Sequence, residues 1–122
     1  MVKRIHDRDS IDGRFYEKHY TKVDSKHFDP IVEGMYRAVN VDGGSARMAR
    51  IEGIDICGKT GTAQTGQFTP DGTERKNLWF AGFYPAQQPR YTIVVLQDGQ
   101  VSTEHSSAAI FARLCAMLDL LV

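Results

Sequence analysis

Two runs of β-branched and aromatic residues, Leu78 to Tyr84 and Tyr91 to Leu96, are separated only by Pro85-Ala86-Gln87-Gln88-Pro89-Arg90. Runs of this composition, bracketed by a proline-rich connection, predict an antiparallel hairpin with a wide turn. Near the C-terminus, Ser106 or Ser107 can cap a helix whose apolar residues Ile110, Phe111, Leu114, Cys115, Met117, Leu118 and Leu121 cover more than half its circumference. So wide an apolar face needs a sheet to cover it. The chain is therefore expected to be α+β, with a helix laid on antiparallel strands.

The N-terminal half is organised differently. Residues 1–28 are dense in charge, with short alternating pieces such as Arg14-Phe15-Tyr16-Glu17 and a turn signal at Asp12-Gly13, and read as an extended arm. A helix is expected to start at Asp29-Pro30, an N-cap followed by proline at the first helical position. Ile31, Val32, Met35, Tyr36 and Val39 recur on one face, read as core packing, and Asp42-Gly43-Gly44 ends the pattern. The polar stretch from Thr65 to Asn77 reads as a loop, long enough to form the rim of a site. Asp98-Gly99 reads as a turn. Residues 29–122 thus form one unit.

Length and charge narrow the function. A chain of 122 residues can build one compact domain. Fifteen basic and fifteen acidic residues cancel, so no net field recruits nucleic acid or an anionic membrane. No apolar run is long enough to span a bilayer, and no signal-peptide core follows Met1. Cys57 and Cys115 do not form a disulfide framework, and no Cys or His spacing matches a metal site, so neither a metal nor another cofactor is expected. Both cysteines read as small buried apolar residues, with their pairing left open. His6, His19, His27 and His105 lie in polar stretches and read as solvated.

Chemistry concentrates in Ile56-Cys57-Gly58-Lys59-Thr60-Gly61-Thr62-Ala63-Gln64. As a strand, this segment puts Lys59 and Gly61 on one side and Thr60 and Thr62 on the other. Gly58 and Gly61 lack a Cβ and let a substrate backbone approach. Lys59 offers an ammonium, the threonines offer hydroxyls, and an edge strand offers free N–H groups to an extended peptide. A peptide-like ligand with a carboxylate fits this set. Gly53 to Thr60 also matches the P-loop pattern G-x-x-x-x-G-K-T. The strand-like alternation of Ile54, Ile56 and Cys57, and the poor helix start in Gly61 to Gly66, argue against a nucleotide loop.

Lys59-Thr60-Gly61 is also the element found in serine β-lactamases and penicillin-binding proteins. The likeness runs further: Ile31-Val32-Glu33-Gly34-Met35, Ala46-Arg47, Ile56 to Gln64, Trp79-Phe80-Ala81-Gly82-Phe83 with Pro85, and Pro89-Arg90-Tyr91 leading into Ile93-Val94-Val95. In this order the chain resembles the C-terminal part of the transpeptidase domain of a class B penicillin-binding protein. That family's Ser-x-x-Lys and Ser-x-Asn motifs are absent. The residues three places after Ser10, Ser25, Ser45, Ser102, Ser106 and Ser107 are Gly13, Phe28, Met48, His105, Ala109 and Ile110. Thr73-Glu74-Arg75-Lys76 has the spacing with threonine, but lies in the polar loop.

The resemblance implies a partial antiparallel sheet holding three of the family's five strands. The Lys-Thr-Gly strand would lie on the active-site edge, the Trp79 strand in the middle, and the Tyr91 strand on an edge without its neighbour. It implies a parent enzyme anchored by an N-terminal helix at the outer face of the bacterial cytoplasmic membrane. That enzyme cross-links D-Ala-D-Ala stem peptides of peptidoglycan through a serine ester and is trapped there by β-lactams. Lys59 would sustain the proton network around the absent serines, and Thr60 and Thr62 would hold the substrate carboxylate. The Thr62 N–H would form half of the oxyanion hole. Gln64 would line the cleft rim, Trp79 would either face substrate or pack under the strand, and Gly82 would permit close packing. Alone, this chain is expected to be inactive, to lack the N-terminal part of its domain, and to dimerise, swap a strand through its exposed sheet edge, or be marginally stable. A reading of another class is a non-catalytic peptide-binding module.

Overall fold

The computed structural model describes residues 5–6, 11–12, 23–102 and 106–119. Strands β1 (Ile5–His6) and β2 (Ile11–Asp12) pair antiparallel. The rest of the charged arm up to residue 22, including Arg14-Phe15-Tyr16-Glu17, lies outside the described residues, as does Leu121. Helix α1 (Asp29–Asn40) precedes a sheet of order β3-β4-β5, built from β3 (Cys57–Phe68), β4 (Glu74–Tyr84) and β5 (Tyr91–Gln100). Both pairings are antiparallel. Helix α2 (Ser107–Asp119) closes the chain. The expected α+β architecture, with the Trp79 strand in the middle and the Tyr91 strand on an edge, is the one observed.

Registers assign the two sheet faces. Lys59 pairs with Ala81 and Gly61 with Trp79, while Trp79 and Ala81 pair with Leu96 and Val94, so these side chains share one face. Thr60, Phe80 and Val95 mark the other. Helix α2 covers that second face, where Phe80 meets Phe111 with ring centroids 4.6 Å apart. Val39, Ala46, Ala49, Ile56, Tyr84, Ala108 and Cys115 complete the buried cluster among the described residues. Hydrogen bonds help tie α2 down, among them the Tyr84 hydroxyl donating to the Cys115 carbonyl (3.3 Å) and the Ser107 hydroxyl to the Leu78 carbonyl (2.8 Å). Ser106 caps the helix by accepting from the Ala109 N–H at 3.2 Å, which divides the work between the two candidate serines.

The first face stays open. Trp79 is 40% exposed, Val94 59% and Leu96 46%, an apolar patch of the kind that marks an interaction surface. Core packing of the whole α1 face is overturned: only Val39 is buried, while Ile31 is 57% exposed and Val32 is also exposed. Periodicity found the apolar side of this helix, but the helix meets chiefly the short turns at Ser25–His27 and Arg47–Ala49 and the start of β3. Contact is made there by the Cys57 thiol donating to the Val32 carbonyl (3.8 Å) and by Asn40 Nδ2 donating to the Ile56 carbonyl (2.7 Å). The helix also starts one residue earlier than expected. Phe28 occupies the cap without a side-chain bond, and Asp29 is already helical.

Two loop assignments are corrected as well. Thr65 to Asn77 is mostly strand, because β3 and β4 continue as a polar two-stranded arm closed by a turn in which Thr69 N–H donates to the Thr73 carbonyl (2.9 Å). Asp98-Gly99 is not a turn but a bulge within β5. The register shifts between Lys76 and Leu78, Gly99 takes φ +62°, and its N–H donates to Asn77 Oδ1 at 2.9 Å. Both cysteines are buried thiols on opposite sides of the sheet, Cys57 against α1 and Cys115 within the α2 core, and they do not pair.

Candidate functional site

Strand β3 has β4 on one side and a free edge on the other, so its outward backbone groups are open to an extended partner. Lys59 and Thr62 are exposed and Thr60 half-buried. The Lys59 ammonium donates to the Thr60 carbonyl at 2.7 Å. In an antiparallel strand the N–H and C=O of one residue point to the same side, and the pattern repeats every second residue. The Thr60 carbonyl is open to an exposed ammonium, so Thr60 and Thr62 both turn their backbone groups toward the free edge. Thr60, Thr62 and Gln64 form one row of polar side chains. Lys59 and Gly61 share the opposite face with Trp79.

The glycines have distinct reasons. A Cβ at Gly58 would lie 2.2 Å from the Phe80 ring, so Gly58 makes room for the core and does not serve an approaching ligand as the sequence suggested. A Cβ at Gly82 would meet the Cys57 carbonyl at 2.6 Å and the Phe111 ring at 3.0 Å, in keeping with close packing. A Cβ at Gly61 would find only the Trp79 Cβ at 3.4 Å, an ordinary contact. Packing does not demand glycine at 61, which leaves access to the strand as its reason.

Beyond Thr62 the polar arm supplies a residue that sequence reading left in a loop. Glu74 accepts from Gln64 Nε2 (3.1 Å) and from the Gly66 N–H (3.3 Å), where Gly66 has φ +69° and the ladder skips register. Nothing in the sequence signals this contact, because the arm buries no apolar face. Trp79 pairs with Gly61 in the register and shares the open face with Lys59, opposite the row of Thr60, Thr62 and Gln64, which agrees with packing under the strand.

The cavities lie elsewhere. A cleft of about 510 Å³ is lined by Tyr36, Asn40, Arg50, Glu52 and Asp55 and stops short of β3. A second, of about 340 Å³, runs between α1 and the connection after β4 and reaches Cys57. Burial, with Asp55 and Glu33 nearby, pushes the Cys57 thiol above its ordinary value and keeps it protonated. Lys59, Thr60, Thr62 and Gln64 line neither, so the row is one wall of a site and not a closed pocket. The P-loop alternative fails on geometry: Gly58, Lys59 and Thr60 are paired in mid-strand with Gly82, Ala81 and Phe80, and strand continues to Phe68 where a helix would have to begin.

Lys59-Thr60-Gly61 thus lies on the free edge of a three-stranded antiparallel sheet that the C-terminal helix covers on one face. The chain is a member of the penicillin binding protein transpeptidase domain family, whose sequence profile matches residues 1–116. It is 38% identical over 77 residues to the penicillin-binding protein PbpB of Mycolicibacterium smegmatis, a match covering 55% of this chain and 12% of that protein. Its fold is similar to the transpeptidase domain of the FtsI4 D,D-transpeptidase from Legionella pneumophila, at 26% identity and TM-score 0.63, over 82% of this chain and 37% of that one. It is also similar to a chain of the complex between penicillin-binding protein PBP2 and MreC from Helicobacter pylori, at 27% identity and TM-score 0.64, over 79% and 18% respectively. The chain therefore spans between 12% and 37% of the length of these relatives. Among the described residues no helix is long and apolar enough to cross a membrane.

Proposed function

We propose that this chain is the substrate-binding back portion of a peptidoglycan D,D-transpeptidase that acts through a serine ester. The observation that carries the reading is the free β3 edge, where Lys59, Thr60 and Thr62 stand beside a glycine that packing does not require. A stem peptide ending in D-Ala-D-Ala lies antiparallel along this edge, its carboxylate held by Lys59 and by the Thr60 and Thr62 hydroxyls. The Thr62 N–H donates to the oxyanion as the serine attacks. That serine, and the lysine that takes its proton, come from the N-terminal part of the same domain. D-Alanine leaves, and an amine of a neighbouring peptide resolves the ester. β-Lactams present the same carboxylate and carbonyl and stop at the ester. Residues 1–28 serve as an arm to the unit formed by 29–122, and the parent works outside the cytoplasmic membrane.

The open sheet face fits this reading, since Trp79, Val94 and Leu96 offer the missing part of the domain an apolar seat. The test is acylation by a fluorescent penicillin, read by intact mass. This chain alone is expected to give no adduct. Co-expression with a preceding segment that carries Ser-x-x-Lys and Ser-x-Asn is expected to give one adduct, on that segment. An adduct on any serine of this chain would refute the division of labour, and loss of binding to the missing segment while the open face is intact would favour the non-catalytic peptide-binding module.

The β5 edge makes a further expectation. From Tyr91 to Gln97 this strand carries neither charge nor proline, so it lacks the usual guards of an exposed edge. The isolated chain is expected to pair β5 with β5 of a second copy and to scatter light as a dimer at high concentration. Val94→Lys places a charge there and should return the monomer. A wild-type chain that stays monomeric at high concentration would contradict the edge pairing.

A further inference from the structure

We infer that Asn40 is a positioning residue for the reaction, which clamps the start of β3 from its open side and so sets how Lys59, Thr60 and Thr62 leave the core. The inference rests on the reading of β3 as the substrate strand. Asn40 is the last residue of α1 and is half-buried. Its Nδ2 donates to the Ile56 carbonyl at 2.7 Å and to the Tyr36 carbonyl at 2.8 Å. Carbonyls only accept, so the amide must turn its nitrogen toward them, and both of its N–H bonds are used. The clamp thus joins the helix to the residue just before β3. Val32, Tyr36 and Asn40 recur one turn apart on α1 and reach Cys57 (3.8 Å), Asp55 (3.5 Å) and Ile56, so the helix lies along the strand's entry as a splint.

Asn40 holds the side of the strand that faces away from β4. A Cβ at Gly82 would stand 2.6 Å from the Cys57 carbonyl, so that carbonyl faces β4. Backbone groups alternate sides from one residue to the next in an antiparallel strand. The Ile56 carbonyl therefore points the other way, in line with those of Thr60 and Thr62. Asn40 fills this first outward acceptor and leaves the edge open from Gly58 onward. Ile56 and Cys57 are fully buried, whereas no β3 side chain beyond Gly58 is buried. Packing fixes the strand at residues 56–57, the ladder with β4 fixes one side, and the Asn40 amide fixes the other. Lys59 stands three residues past the clamp, so a tilt at Ile56 is carried directly to the groups read as holding the carboxylate and the oxyanion.

The test uses the complete transpeptidase domain containing this segment. Benzylpenicillin is the probe, intact mass reads the acylation rate, and circular dichroism sets a temperature at which each variant is folded. Val39→Ala, one position earlier and fully buried, is the control for lost stability alone, since it opens a cavity in the core without touching the clamp. Misplacing a reacting group by about an ångström can cost about a hundredfold in rate. Asn40→Ala releases the strand by a part of that and is expected to acylate about tenfold more slowly, whereas Val39→Ala should keep the wild-type rate. Asn40→His retains a ring N–H on the atom next to Cγ, and the adjoining cleft of about 510 Å³ has room for the ring, so the rate should return toward wild type. Should Asn40→Ala not fold, Asn40→Ser takes its place with the same expected slowing, because its short side chain leaves space for a water to meet the Ile56 carbonyl. A folded alanine or serine variant that acylates at the wild-type rate, equal slowing in Val39→Ala, or a histidine variant without recovery would each overturn the inference. A wild-type domain that takes no penicillin would instead overturn the reading of β3 beneath it.

Discussion

Phe111→Ala is expected to leave the isolated chain without a cooperative unfolding transition at room temperature. Its ring is fully buried, pairs with Phe80 at 4.6 Å, and approaches the only glycine of β4 so closely that a Cβ at Gly82 would stand 3.0 Å away. Removing a buried phenylalanine costs about 3–5 kcal/mol through lost burial and the cavity left behind. Small domains hold only about 5–15 kcal/mol in total. This one is toward the lower end on physical grounds, since one sheet face and half of α1 remain in water and contribute little. Met117→Ala on the same helix is the control. Met117 is 62% exposed, and its truncation should change stability by no more than about 0.5 kcal/mol. Thermal melts by circular dichroism decide it. Similar melts for the two variants would mean that α2 does not seat on the face assigned to it.

The same division between covered and open surface explains which features could be read from the sequence. Strands signalled by burial were legible: Leu78 to Tyr84 and Tyr91 to Leu96 are the stretches of β4 and β5 that pack against α2 or line the apolar open face, and their pairing with each other followed from the short connection between them. Where the ladder continues without burying side chains, at Thr65 to Phe68 and Glu74 to Asn77, hydrogen bonds hold a polar arm that leaves no hydrophobic pattern to detect. The bulge at Asp98-Gly99 has the letters of a turn because both need a residue at positive φ, and only the continued pairing with β4 on either side distinguishes them. Gly58 and Gly61 look alike in the sequence. Three-dimensional packing separates them, since the Phe80 ring fills the space over one and nothing but Trp79 Cβ approaches the other.

The candidate site divides in a similar way. For Lys59, Thr60 and Thr62 the strand itself was legible, because alternation fixes Thr60 and Thr62 on one face and Lys59 on the other. Their placement on an edge came from the family resemblance, and the sheet order agrees with it. For Trp79 the sequence leaves packing under the strand and facing substrate equally open, and only the register, which pairs it with Gly61 on the Lys59 face, places it. Glu74 was not legible at all, because its contact to Gln64 depends on how far the polar arm stays zipped. Apolar residues announce what they bury. Polar rim residues announce nothing until the backbone is known.

Thr62→Pro is expected to lower acylation of the complete domain by penicillin by about a hundred- to a thousandfold while leaving the fold in place, since that is the usual cost of one oxyanion donor. Proline deletes the N–H and fixes φ near values an edge strand accepts, provided the lost donor points away from the ladder. That proviso is the structural claim being tested. Thr60 offers its carbonyl to Lys59 at 2.7 Å, and Thr62, two residues on, shares its outward orientation. Gly61 precedes the new proline and has no Cβ to clash with its ring. Thr62→Val keeps the N–H and removes only the hydroxyl, so it should fall by a smaller factor, confined to carboxylate binding and visible in KM. If Thr62→Pro melts far below wild type, the N–H belongs to the β4 ladder, and the oxyanion role must move elsewhere. If it folds normally and acylates normally, the strand binds substrate without assisting the chemistry. Only normal folding with a collapsed rate, set against a milder Thr62→Val, makes the free edge of β3 a working part of the reaction.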